Sequence, residues 1–203
     1  NMSITLSNWV RVSDEVAINT SYFCAAAQPN TSFTMAETEL ASTHNGGVRN
    51  VTATTAGAGD SGKTVTLTGT DSDGASLTEV ITLPGSATTT AGTELFKTVT
   101  AAEMSAQPAA NVSVGFGTAC GAKIGGGGVF GSYRVTSGGT GGTVSFRTAG
   151  TDGTVIATDL TGGSAGTNGA MVSAYGTGAK LVDGFYVTYT LDVADQILAF
   201  YAG

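Results

Sequence analysis

The chain has 203 residues, of which 41% are hydrophobic and only 11% charged, with 31 glycines and a net charge of −7. That hydrophobic share excludes a disordered chain, which combines low hydrophobicity with high net charge. The 8 Lys and Arg are scattered singly, which argues against nucleic acid or an anionic membrane as a partner. No apolar run approaches the ~20 residues of a membrane span and no basic-then-apolar leader is read at Asn1, so neither a membrane segment nor a secretory signal is expected.

Residues 1–48 form the least regular stretch and read as an N-terminal arm. Ser3–Leu6 and Trp9–Val12 suggest short strands, Pro29 and Asn45-Gly46-Gly47 interrupt the segment, and Thr34 to Glu37 has the spacing of a capping box that would open a helix through Leu40. Trp9, Tyr22 and Phe33 are its candidate anchors, packing either on a neighbouring subunit or on the following domain. In the second case the arm folds back as an extra strand.

Residues 49–118 carry strand signals at 49–55, 63–69, 77–83, 94–100 and 111–116. The clearest are the runs on either side of Asp71-Ser72-Asp73-Gly74. Val65 and Leu67 alternate with Thr64, Thr66 and Thr68, while Leu77, Ile81 and Leu83 alternate with Thr78, Val80 and Thr82. This is the period of a half-buried strand, and an Asp/Gly turn between two such runs makes a hairpin. Thr100 to Glu103 repeats the capping-box spacing and suggests one helical turn before Pro108.

Residues 119–128, ending in Gly125–Gly128, read as a Gly-rich linker. Beyond it, residues 129–203 show strand signals at 129–136, 143–148, 154–158, 169–174, 185–191 and 196–202, separated by Gly-rich turns. High Gly, Thr and Val without a collagen period points to an all-β chain. The expected architecture is two small β-sandwich or jelly-roll-like modules preceded by the irregular arm.

Several stretches imitate catalytic or binding motifs. Gly57-Ala58-Gly59-Asp60-Ser61-Gly62-Lys63-Thr64 matches a phosphate-binding loop, but that chemistry needs a helix starting at the lysine, and Val65-Thr66-Leu67-Thr68 reads as a strand. Gly59–Gly62 and Gly162–Gly166 resemble serine-nucleophile loops, yet His44 is the only histidine, too close to Ser61 and on the wrong side of Ser164 for the hydrolase order. Asp71, Asp73 and Glu79 suggest calcium, but Gly69 and Val80 stand where an EF-hand needs acids. One His and two distant Cys do not supply a zinc set. Cys24 and Cys120 are either a long-range disulfide or two small buried residues, and the absence of a secretion signal favours the second. With one Trp and most other aromatics on alternating core faces, a glycan platform is weakly supported. No enzyme activity, cofactor or metal is expected.

Two groups of phrases point elsewhere. Gly62-Lys63-Thr64-Val65-Thr66-Leu67-Thr68-Gly69-Thr70-Asp71-Ser72-Asp73-Gly74 continues through Leu77–Gly85 to Leu95–Thr100, and Gly142–Arg147 pairs with Asp183–Thr188. Together they resemble β-rich structural proteins of tailed-bacteriophage virions, over roughly residues 50–203. The resemblance implies a non-enzymatic virion component without a cofactor, assembled in the host cytoplasm. A capsid decoration or cement protein, a homotrimer bound to the major capsid protein, is the first expectation. A neck, collar or tail accessory protein, or a host-glycan-binding adhesin module, is the alternative.

Overall fold

The computed structural model describes residues 8–13, 18–40, 48–124, 128–135, 143–147, 155–160, 168–169, 179–181, 185–190 and 197–202. They are overwhelmingly strand, so the chain is all-β. It divides into two compact units. Unit 1 comprises Asn1–Val16, Ser42–Gly47 and Cys120–Gly203, and unit 2 comprises Ala17–Ala41 and Val48–Ala119.

Unit 2 contains β2 (Asn19–Ala27), β3 (Val48–Thr55), β4 (Thr64–Thr70), β5 (Ser76–Thr82), β6 (Thr88–Phe96), β7 (Thr98–Met104) and the start of β8 (Val112–Ile124). One of its sheets runs β2-β8-β3-β6, the other β5-β4-β7. A single apolar core draws on both. Val51, Ala53, Val112, Val114 and Phe116 come from the first sheet, and Val65, Leu67, Ile81, Val99, Ala102 and Met104 from the second. The chain passes between the sheets at Lys97, with Phe96 and Val99 buried on either side.

The β4–β5 hairpin follows the alternation of its sequence, in a regular antiparallel register from Thr64 opposite Thr82 to Thr70 opposite Ser76. Its tip is held by one side chain. Asp71 Oδ1 accepts the amides of Asp73 at 2.8 Å and Ala75 at 2.9 Å, and Gly74 takes φ of 81°, a conformation cheap only for glycine.

Both capping-box spacings turn out to lie in extended chain. Thr100–Glu103 falls inside β7, and residues 33–40 run beside β7 rather than as a helix. The amide of Phe33 donates to Ala102 O, that of Val99 to Thr38 O and that of Met104 to Thr31 O. A strand edge that offers every second donor and acceptor satisfies more backbone than one isolated helical turn.

Asn50 ties three strands together. From β3 its Nδ2 donates to Gly92 O on β6 at 3.1 Å, and its Oδ1 accepts the amide of Ala119 on β8 at 3.0 Å. The residue is buried, so truncation leaves a carbonyl and an amide without their partner. Asn50→Ala is expected to lower unfolding free energy by about 2 kcal/mol in urea titrations.

Unit 1 holds β1 (Asn8–Ser13), the end of β8, β9 (Gly128–Val135), β10 (Thr143–Arg147), β11 (Val155–Leu160), β12 (Asn168–Gly169), β13 (Ala179–Leu181), β14 (Phe185–Thr190) and β15 (Ile197–Ala202). β15 lies between β1 and β9, which also pairs with β12 and β13, while β10 is flanked by β11 and β14.

The arm and linker read from the sequence are distributed differently. Residues 17–41 belong to unit 2, while 1–16 and 42–47 belong to unit 1. Residues 119–124 continue β8, and Gly128 opens β9. Residues 125–127, the centre of the expected linker, lie outside the described residues.

Candidate functional site

The most elaborate polar cluster is built on the phosphate-loop-like stretch. After β3 the chain turns through one 3₁₀ turn, Ala58–Asp60, and then enters β4 rather than a helix. Asp60 is fully buried, at 0% exposure, and both carboxylate oxygens are engaged. Oδ1 accepts from Lys63 Nζ at 2.9 Å and from the Ala109 amide at 2.6 Å. Oδ2 accepts from Thr55 Oγ1 at 3.0 Å and from the Ala110 amide at 3.2 Å. Lys63 Nζ also donates to Gln107 O at 2.8 Å, so the ammonium links the turn to the segment leading into β8.

The glycines of the motif have a local explanation. A Cβ on Gly57 would meet that of Ala110, and one on Gly59 that of Ala109, both at 2.8 Å. Only bare backbone lets the 105–111 segment approach close enough for its amides to reach the carboxylate. Gly62, at φ of 77°, makes the sharp exit into β4.

Burial by itself would raise the Asp60 carboxyl. Lys63, the Ala109 amide, the Thr55 hydroxyl and the Ala110 amide outweigh it, and the group is held below the usual carboxylate value. Backbone amides do converge on an anion here, but the anion is the protein's own. With no helix N-terminus behind Lys63 and its ammonium already engaged, the cluster acts as a clasp between two segments of unit 2.

The hairpin carboxylates do not converge either. Asp71 Oδ1 is occupied by its own turn, whereas Glu79 on β5 reaches to β6, where Oε1 accepts the Thr93 amide at 2.6 Å and the Glu94 amide at 3.3 Å. Those amides come from a bulge. Asn50 pairs with Leu95 and Thr52 with Ala91, leaving Gly92–Glu94 opposite the single residue Val51. Among the described residues no group of three or more His, Cys, Asp or Glu is placed to hold a metal ion.

Cys24 is a free thiol, buried with its Sγ 3.4 Å from Met35 Sδ, and is not paired with Cys120. Desolvation pushes it up to about 12, so it behaves as a small apolar group.

The three candidate anchors fare differently. Phe33 is buried in the core of unit 2. Tyr22 is half-buried, edge-on to Phe23 and Phe116 with centroids 5.2 and 5.0 Å away, and its hydroxyl donates to Glu39 O at 3.1 Å. Trp9 lies in β1 opposite Tyr201. Two of the three therefore pack within unit 2. His44 and the Gly162–Gly166 stretch with Ser164 lie outside the described residues.

Sequence reasoning missed two groups, Asn50 and Arg49. Both are polar and sit in a strand buried almost throughout, Arg49 with its guanidinium 4.7 Å from the centre of the Phe116 ring. Their only sequence signal is position, since Val48-Arg49-Asn50-Val51 interrupts the alternation where an interior strand begins. Compared with family models, with curated proteins and with solved structures, the chain gives no match.

Proposed function

We propose that the chain is a non-enzymatic structural component of a tailed-phage virion, a capsid decoration or cement protein that acts in several copies, as a homotrimer on the major capsid protein. The phrases at Gly62–Thr100, Gly142–Arg147 and Asp183–Thr188 suggest this class. The observation that carries the reading is the Asp60 clasp. The stretch most like a catalytic or ligand-binding loop spends its carboxylate, ammonium and amides on holding unit 2 together. Unit 2 presents Thr68, Ser76, Thr78, Thr82 and Thr100 outward on β4, β5 and β7, beside the exposed acids Glu37, Glu39, Asp73 and Glu103 and the single exposed base Lys97. A β surface lined with threonine and serine hydroxyls suits repeated lateral contact on a shell through hydrogen bonds.

A glycan-binding module usually offers exposed aromatic rings. In unit 2 the exposed large apolar side chains are Ile18 and Val80, and neither is aromatic. The neck or tail location remains the competing proposal. Purified protein added to phage shells lacking it is expected to co-sediment with them and to raise the temperature at which they rupture. Co-sedimentation with isolated tails alone would move the proposal to the neck or tail. Binding to neither, with retention on host glycans, would overturn it.

A further inference from the structure

Unit 1 is not built from one run of chain. Its described strands all come from Cys120 onward except β1, which arrives from the N-terminal end of the sequence and, among the described residues, lies at the edge of its sheet and pairs only with β15. The two run antiparallel through six register pairs, from Asn8 opposite Ala202 to Ser13 opposite Ile197. Only five residues separate Ser13 from Asn19, where β2 of the other unit begins. Without β1, β15 would keep β9 on one side and show a row of unpaired amides and carbonyls on the other.

We propose that β1 is exchanged between copies, so that the edge of β15 in one copy is completed by Asn8–Ser13 of a second copy in the same register. This rests on the multi-copy reading above and names its partner. An exchanged strand makes the same ladder as one supplied by its own chain, so contact energy does not decide between them. Two other quantities do. A hinge as short as five residues is of the kind that favours exchange, and on the multi-copy reading neighbours held on a common surface would present their open edges at high effective concentration. The strand is suited to transfer, since Asn8-Trp9-Val10-Arg11-Val12-Ser13 has no Pro or Gly, is rich in β-formers and detaches by breaking one ladder.

Cysteine pairs across the ladder test this. Val10→Cys with Phe200→Cys and Arg11→Cys with Ala199→Cys are adjacent register pairs. One of the two falls at the narrow, non-hydrogen-bonded type of position whose spacing a disulfide can bridge. Two differently tagged chains are co-expressed, one carrying the β1 cysteine and the other the β15 cysteine. They are oxidised and run on non-reducing gels beside the wild type, which accounts for Cys24 and Cys120. The expected result is a disulfide-linked pair carrying both tags. Exchange is overturned if the double variant closes only within one chain and the mixed chains never link, or if neither register pair links at all. Light scattering separates the two readings. An oligomer with only intrachain bonds overturns exchange and leaves the multi-copy proposal standing, whereas a monomer with intrachain bonds overturns both.

Discussion

Asp60→Ala is expected to lower the stability of unit 2 by about 3–5 kcal/mol, because it strands the Lys63 ammonium and two amides that now share one buried carboxylate. Asp60→Asn, which keeps the shape but not the charge, is expected to lose a substantial part of that. The sign of the pH dependence follows from the direction in which the group is held. Its folded-state value lies below the ordinary 3.8, so the unfolded chain binds the proton more readily. The stabilisation is complete above the unfolded value and fades as pH falls from about 4 toward the lower folded value. Urea midpoints at pH 3.5 and pH 6 should therefore differ more for the wild type than for Asp60→Asn. Equal differences in the two proteins would show that the clasp contributes nothing to folding.

Phe23→Ala is the second large effect, expected to cost about 3–5 kcal/mol for a buried aromatic cut back to a methyl group. Phe23 is 1% exposed and meets Tyr22 and Phe116 edge-on, so its loss opens a cavity between β2 and β8. The measurement bears on organisation as well as stability. If residues 17–41 were a detachable arm that only docks on neighbours, the variant would unfold at the wild-type denaturant concentration and lose assembly alone. Because β2 is a strand of unit 2, the unfolding midpoint itself should drop.

The regions legible from sequence were those where one face is buried and the register is regular. β4 and β5 alternate without interruption, and Asp71 and Gly74 announce the turn between them. Bulges hid the rest. In β7, Gly69 pairs with Val99 and Thr68 with Ala101, so Thr100 is an extra residue and the buried positions become Val99, Ala102 and Met104. That spacing of three and then two is neither strand nor helix, and it let a capping-box pattern suggest a helical turn. β2 was obscured in the same way, since Asn19 pairs with Phe116 but Cys24 with Val114. The first half of β6, Thr88–Thr93, has no apolar alternation to detect, and its pairing with β3 is non-local. The clasp was half visible. Gly57, Asp60 and Lys63 stand out as a motif, but the amides of Ala109 and Ala110 that reach the carboxylate lie 49 and 50 residues from Asp60 and carry no side-chain signature.

Glu79 has a wider consequence. β5 ends its sheet, and such a margin invites any passing extended segment to zip on. A carboxylate turned sideways onto the Thr93 and Glu94 amides occupies donors of the bulged neighbour, so that an incoming chain finds fewer of them open. That margin is thereby less open to chance pairing when molecules crowd together.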